Sequence, residues 1–140
     1  MKRMTALTFL TAALISMGSF RADAQALEFK VPFDFTVQSK ALPAGTYQVS
    51  YTPTHSILIR SLDGRFHTLT PTYAADSSPT GGGKLIFTKY GNQYFLHDVL
   101  CSNLDMNVEI PKSKLEQRVR LQQAQLPHSE TVAALDIRAK

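Results

Sequence analysis

Tryptophan is absent from this chain of 140 residues, and cysteine occurs only once, as Cys101. A single cysteine excludes an internal disulfide, so packing alone must hold the fold together. Because Cys101 directly follows Val99 and Leu100, we predict a small buried hydrophobic residue rather than a reactive thiol. An intermolecular disulfide is the alternative interpretation of this residue.

Long apolar runs are missing after the first 26 residues. Within those residues, Lys2 and Arg3 precede an apolar run from Thr5 to Phe20 and two small-x-small sites that end at Ala24 and Ala26. This pattern predicts a signal peptide over residues 1–26, cleaved after Ala24 or Ala26, and hence a periplasmic or extracellular protein. The run is too short for a spanning helix, and no cysteine follows it for a lipid anchor. We therefore expect no transmembrane segment after cleavage.

A strong excess of one charge is also lacking. The full chain has a net charge of +4, but removal of residues 1–26 leaves 12 basic and 10 acidic residues, or +2. This balance gives no support to nucleic-acid binding. The remaining cations cluster only near the C-terminus, where we predict partner contacts to anionic polymers or lipid headgroups, with a solvated helix face as the alternative. These cations are Lys112, Lys114, Arg118 and Arg120.

Local catalytic motifs are absent as well. The chain has no Gly-x-Ser-x-Gly elbow, and its four histidines include no pair at the helical i, i+4 spacing. His67, His97 and Asp98 are weak candidates for a metal site, which would form only if their two hairpins pair; ordinary strand positions are the alternative. We predict no enzyme, no cofactor and no bound metal. A hydrolase built on dispersed Asp and His residues is a further alternative.

Apolar residues that alternate with polar ones dominate the remaining chain. Every odd position from Leu27 to Val37 is apolar, which predicts a strand with one buried face that Pro32 divides in two. Pro43 and Gly45 predict a type II turn with a positive φ at Gly45. The next alternating segment follows at residues 47–51.

Two hairpins are indicated next. Asp63-Gly64 joins residues 56–61 to residues 66–70 and, as a two-residue turn, sets Arg60 opposite His67; a longer turn with a bulge would shift this pairing by one residue. Gly91-Asn92 joins residues 84–90 to residues 93–100 and sets Phe87 opposite Leu96. Apolar groups on both faces of the second hairpin predict central strands. Residues 104–110 alternate again.

The segments between and after these strands are polar. Residues 71–83 form a predicted long loop, in which Tyr73 is a candidate contact residue. We predict a β domain over residues 27–110, a helix over residues 111–126 and a short helix or loose tail over residues 127–140. Ser113 and Glu116 predict a capping box, and the helix should bury a stripe of Leu115, Val119, Gln122 and Leu126.

The fold class predicted by this order is all-β, a small sandwich or barrel of seven to eight antiparallel strands with one C-terminal α-helix. The helix should cover an open end or a sheet edge. Five motifs support this fold class: VPFDFTV, LPAGTYQV, ILIRSLDGR, GKLIFTKYGNQYFL and IPKSKLE. Together they resemble a family of small secreted, uncharacterised bacterial β proteins over about residues 29 to 118. The family commonly has Gly where this chain has Gln38-Ser39, and the resemblance implies no activity.

The function that this sequence indicates is binding. We predict a non-enzymatic exported β domain whose partner is an envelope or extracellular protein, a glycan or a small ligand. A structural or assembly protein that offers a sheet edge or its helix is the alternative. Five tyrosines and eight phenylalanines would line a cavity in a ligand carrier, but we expect them to be packing residues.

Overall fold

In the computed structural model, residues 26–76 and 82–125 are described in full and residues 133–138 as backbone. They form eleven strands, one helix and a single 3-10 turn at Ser102–Leu104. In chain order the elements are β1 (Ala26–Val31), β2 (Phe35–Val37), β3 (Lys40–Leu42), β4 (Gly45–Thr52), β5 (Ser56–Ser61), β6 (His67–Pro71), β7 (Tyr73–Ala74), β8 (Lys84–Tyr90), β9 (Gln93–Cys101), β10 (Met106–Glu109), α1 (Lys114–Ala124) and β11 (Ala133–Arg138).

The strands form two sheets that share one core. Sheet A has the order β1-β4-β5-β6, and sheet B has the order β11-β8-β9-β10-β7, with the β2–β3 hairpin attached to β9. The inner faces of both sheets meet in one apolar cluster, to which Phe29 and Ile57 contribute from sheet A and Phe87 and Val99 from sheet B. The fold class, all-β with one C-terminal helix, is confirmed. Cys101 lies buried in this cluster.

The first alternating run divides near Pro32, as expected. Its first half, β1, pairs with β4 in sheet A, whereas its second half, β2, joins β9 in sheet B. All six odd-numbered apolar residues lie in the core or pack against it. Because proline donates no ladder hydrogen bond, the break falls where the chain passes from one sheet to the other.

The turns after β2 correct one prediction. Gly45 does not adopt a positive φ, so the predicted type II turn at Pro43–Gly45 is wrong. The left-handed residue is instead Gln38, with φ 59°, in the two-residue turn between β2 and β3. Glycine adopts a positive φ without steric cost, whereas glutamine rarely does.

The two hairpins have the predicted registers. Arg60 faces His67, so the pairing expected for a turn at Asp63-Gly64 is confirmed. Phe87 faces Leu96 and Thr88 faces Phe95 across Gly91-Asn92. Strands β8 and β9 occupy the middle of sheet B, as their two apolar faces predict.

Two segments expected to lack strands contain them. Tyr73–Ala74 in the predicted long loop pairs with β10, and Ala133–Arg138 in the predicted tail pairs with β8 over its whole length. In both cases a sheet edge supplies hydrogen-bond partners that a local sequence pattern does not reveal. The predicted signal peptide lies outside the described residues, apart from Ala26, the first residue of β1.

Helix α1 lies on the outer face of sheet B rather than over an end or an edge. Val119 packs with Tyr90 and Phe95 in a second, smaller apolar cluster on that face. The predicted stripe is wrong in part: Leu115 and Gln122 are exposed, whereas Glu116 and Val119 are the buried residues of α1. In this orientation of the helix, the Tyr90 hydroxyl donates a hydrogen bond to Glu116 in the interface. Leu126 lies outside the described residues.

Candidate functional site

A β-bulge in the middle of sheet B positions His97. Ile86 faces Asp98 and the next residue, Phe87, faces Leu96, so His97 is an extra residue without a partner on β8. The His97 carbonyl accepts a hydrogen bond of 2.7 Å from the Ile110 N–H, which fixes the bulge against the end of β10. Bulges redirect side chains and occur frequently beside functional sites.

Two carboxylates hold the imidazole of His97. Nδ1 lies 2.9 Å from Oδ1 of Asp98, and Nε2 lies 3.6 Å from Oε1 of Glu109, which is paired with Asp98 on β10. The hydrogen bond to Asp98 raises the pKa of His97 above its ordinary value, and Glu109 adds to the increase, while partial burial and Lys112 oppose it. An imidazole held in this way has a fixed orientation and favours the protonated form.

Beneath α1, a second titratable pair connects the helix to the sheet. Glu116 is only 4% exposed, and its carboxylate accepts a hydrogen bond of 3.2 Å from the Tyr90 hydroxyl. Burial raises the pKa of Glu116, although the Tyr90 hydrogen bond and the charges of Lys112, His97 and Arg120 oppose the increase. Burial and the neighbouring carboxylate raise the pKa of Tyr90. The helix therefore buries its acidic side chain and keeps it away from solvent.

The start of α1 is tied to the β2–β3 turn. Ser113 Oγ accepts the Glu116 N–H at 3.1 Å, which confirms Ser113 as the N-cap. Its hydroxyl also donates to the Gln38 carbonyl at 2.6 Å, and Gln38 Nε2 donates to the Pro111 carbonyl at 2.7 Å. The reciprocal half of the predicted capping box is replaced, because the Glu116 carboxylate is bound by Tyr90.

The side of α1 opposite Val119 carries positive charge around a leucine. Lys114, Gln117 and Leu121 follow one another at helical spacings of three and four residues, and Arg118 and Arg120 flank them. We call these five residues the outer helix face. Leu121 is 62% exposed, and all five side chains are exposed to solvent.

The cations of the outer helix face form no ion pair with an acidic side chain in the parts of the chain that the structure describes, although the charge of Arg120 acts on the buried Glu116. Ion pairs elsewhere in the described residues include Asp63 with Arg65 and His97 with Asp98 and Glu109. Lys112, just before the helix, lines a groove of about 300 Å³ together with Gln117, Arg120 and Leu121. The four predicted contact cations thus lie on α1 or just before it, and their side chains are exposed to solvent.

A second groove, of about 240 Å³, lies where two of the sequence motifs meet. Residues 43–47 of the LPAGTYQV motif, residues 61–63 of the ILIRSLDGR motif and Phe66 line it, and the Leu62 N–H donates to the Thr46 carbonyl at 3.0 Å. Its main carboxylate, Asp63, accepts from the Ser61 hydroxyl and the Arg65 N–H, which lower its pKa. These bonds stabilise the turn itself, so this groove has a structural explanation.

The predicted metal candidates are only partly brought together. His97 contacts Asp98, but His67 lies on β6 of sheet A, since the two hairpins belong to different sheets. Within residues 26–76 and 82–125, no three His, Cys, Asp or Glu side chains are placed to hold a metal ion.

The tyrosines are mostly bound within the protein. The Tyr47 hydroxyl donates to the Pro43 carbonyl, and the Tyr94 ring stacks on Phe33 with 4.1 Å between centroids. Tyr90 binds Glu116. Tyr73, the predicted contact residue, is 67% exposed on β7. These three tyrosines therefore serve packing, whereas Tyr73 is exposed.

Three of the titratable residues that lie around His97 and beneath α1 were not identified from the sequence: Tyr90, Glu109 and Glu116. Glu109 and Tyr90 reach these positions through strand pairing and a helix contact that no local pattern reveals. For Glu116 the sequence contained a signal. The capping-box pattern places Glu116 in the first turn of the helix, where its side chain can contact the surface on which the helix packs.

Comparison with known proteins gives no relative for this chain. No protein-family model, no curated protein and no solved structure matches it. The family resemblance described above therefore stays a prediction. In the part of the chain that the structure describes, no helix has the length and apolar content to cross a membrane.

Proposed function

We propose that this protein is an exported, non-enzymatic β domain that binds a partner in the cell envelope or outside the cell, and that the outer helix face is its binding surface. One observation carries the proposal: exposed cations that form no ion pair within the described chain share one helix face with the exposed Leu121. Side chains of this kind attract an anionic partner and offer it apolar contact.

The rest of the molecule supports binding at this surface. Helix α1 is fixed to the sheet by Val119, by the Tyr90–Glu116 hydrogen bond and by the Ser113–Gln38 contact. A binding element that is already ordered loses little conformational entropy when a partner binds. The remaining part of the proposal, export, depends on the predicted signal peptide over residues 1–26.

Cell fractionation tests this proposal. The full chain with a C-terminal epitope tag should be processed after residue 24 or 26 and should sediment with the envelope fraction. Because screening weakens contacts between exposed charges, a wash with high salt should release most of the protein. An unprocessed protein in the cytoplasm, or a processed protein whose location does not respond to salt, would contradict the proposal.

A further inference from the structure

The outer helix face lies flat against one side of the molecule. Helix α1 packs along sheet B through Val119, so the opposite side of the helix is the outermost surface there. Leu121 lies at the C-terminal end of this surface, and around the helix axis Lys114 and Arg118 lie on one side of it while Arg120 lies on the other.

The charge on this surface has a single sign. Glu116 is the one acidic residue between Lys112 and Gln125 in the sequence, and it points into the interface with Tyr90. The exposed charges of this segment are therefore four cations and no anion. Clusters of four or more Lys and Arg on an amphipathic helix are attracted to anionic lipid surfaces.

The exposed leucine distinguishes a lipid surface from a soluble polyanion. A polyanion such as an acidic polysaccharide needs cations but gains nothing from a leucine that stands free between them. A lipid surface accepts both groups, because cations bind the headgroups while an apolar side chain enters the boundary with the acyl chains. Leu121, which is 62% exposed, has no packing role that would explain its position.

We infer that the outer helix face docks the protein reversibly onto an anionic phospholipid surface, with Lys114, Arg118 and Arg120 at the headgroups and Leu121 at the acyl boundary. This inference rests on the proposed function and names its partner. The helix lies on the lipid surface and does not enter the bilayer, since the Glu116 side faces sheet B.

The absence of tryptophan allows a direct test. A Leu121→Trp variant carries a single tryptophan as its reporter within the proposed contact. With the processed protein, its emission should shift to shorter wavelength on vesicles of two parts phosphatidylcholine to one part phosphatidylglycerol, and should not shift on phosphatidylcholine alone. Leu62→Trp, at the 52% exposed leucine of the β5–β6 turn, is the control and should not respond.

Charge reversal supplies the second arm. Lys114→Glu with Arg118→Glu should lower vesicle affinity at least about tenfold, because each cation near an anionic surface contributes to binding. The matched control, Lys30→Glu with Arg60→Glu, changes two exposed cations on the outer face of sheet A by the same charge and should alter affinity less than about twofold. A glutamate at position 114 also suits the start of a helix, so loss of binding would not reflect an unfolded helix.

Three results decide the inference. A shift of the Leu121→Trp emission on anionic vesicles, abolished by charge reversal, supports it. An unchanged emission overturns it, and the proposed function still stands if salt releases the wild-type protein from the envelope. Equal affinity for vesicles and for dextran sulfate, with no loss in Leu121→Ala, would also overturn it and would assign the surface to a polyanion.

Discussion

On the inner face of sheet B, Phe87, Leu96 and Val99 are at most 2% exposed and pack against the apolar side chains of sheet A. On the outer face of the same sheet, Tyr90 is also buried, but one of its neighbours is the carboxylate of Glu116. The inner face is stabilised by burial of apolar area, which depends little on pH. The outer face combines a small apolar contact with hydrogen bonds between titratable groups.

The two faces of sheet B therefore contribute differently: the inner face stabilises the fold, and the outer face holds the helix that carries the exposed cations. The inner face resists any change of side-chain volume, because close-packed interiors relax only partially. The outer face holds α1 with few contacts and leaves the cations of that helix free, which suits a surface for binding. Substitutions at the inner face should thus lower the stability of the fold, and substitutions at the outer helix face should weaken binding alone.

The largest effect is expected from the inner face. Phe87→Ala should lower the free energy of unfolding by about 3–5 kcal/mol, because it leaves a cavity where three aromatic rings meet. Urea unfolding followed by circular dichroism measures this loss. Leu69→Ala, at a residue 60% exposed on β6, is the control and should change it by less than about 0.5 kcal/mol. A similar loss in both variants would remove the contrast.

A smaller effect is expected where α1 meets the sheet. Val119→Ala should cost about 1–2 kcal/mol, since it removes two methyl groups from the cluster with Tyr90 and Phe95. The amides of α1 should also exchange faster with deuterium, because a helix held by fewer contacts opens before the two sheets unfold. Leu121→Ala on the opposite side of the same helix should leave both quantities unchanged. Equal losses in the two variants would mean that α1 does not pack as described.

The N-cap should matter somewhat less. Ser113→Ala removes the acceptor for the Glu116 N–H and the donor to the Gln38 carbonyl, and should cost about 1 kcal/mol. Ser113→Asn is the conservative control, because asparagine caps helices about as well as serine. It should recover part of the loss, and urea midpoints of the three proteins provide the measurement. No loss in Ser113→Ala would show that the cap contributes nothing.

The smallest effect is a dependence on pH that only the outer face should show. The folded state raises the pKa of His97, chiefly through Asp98 and also through Glu109, and it raises the pKa of Glu116 by burial. A raised pKa stabilises the fold below the unfolded value, which for histidine is about 6.5, and that stability is lost as the pH rises through the folded value. Both groups therefore favour the fold at mildly acidic pH.

Urea midpoints at several pH values check this prediction. Between about pH 5.5 and about pH 8, the wild-type protein should lose stability as the pH rises. His97→Gln should flatten this dependence, and Glu116→Gln should be more stable than the wild type at the alkaline end, because the amide keeps an acceptor for Tyr90 without a buried charge. Stability that rises with pH over this range would contradict the assignment.

The sequence allowed most of the inner face to be predicted. β-branched and apolar residues between turn signals gave the bounds of β5 and β8, and the turns at Asp63-Gly64 and Gly91-Asn92 determined the registers of both hairpins. These features depend on local chemistry, in which each residue alternates between core and solvent and each glycine permits a left-handed turn.

The outer face could be predicted only in part. The four cations and the N-cap Ser113 were visible, since both depend on neighbouring residues in the chain. The bulge at His97 was not visible, because it depends on how β9 meets β8. The orientation of α1 was not visible either. The helix buries Glu116 and not Leu115, and Glu116 accepts a hydrogen bond there from Tyr90 on β8. Contacts between distant segments determine these features, and a local pattern does not contain them.

The central claim is that the outer helix face binds and that the rest of the surface does not. One measurement tests it most directly: the fraction of protein in the cell envelope for two variants with the same change of net charge. Lys114→Glu with Arg118→Glu should move most of the protein out of the envelope fraction, whereas Lys30→Glu with Arg60→Glu should leave it there. Equal release of both variants, or of neither, would contradict the account.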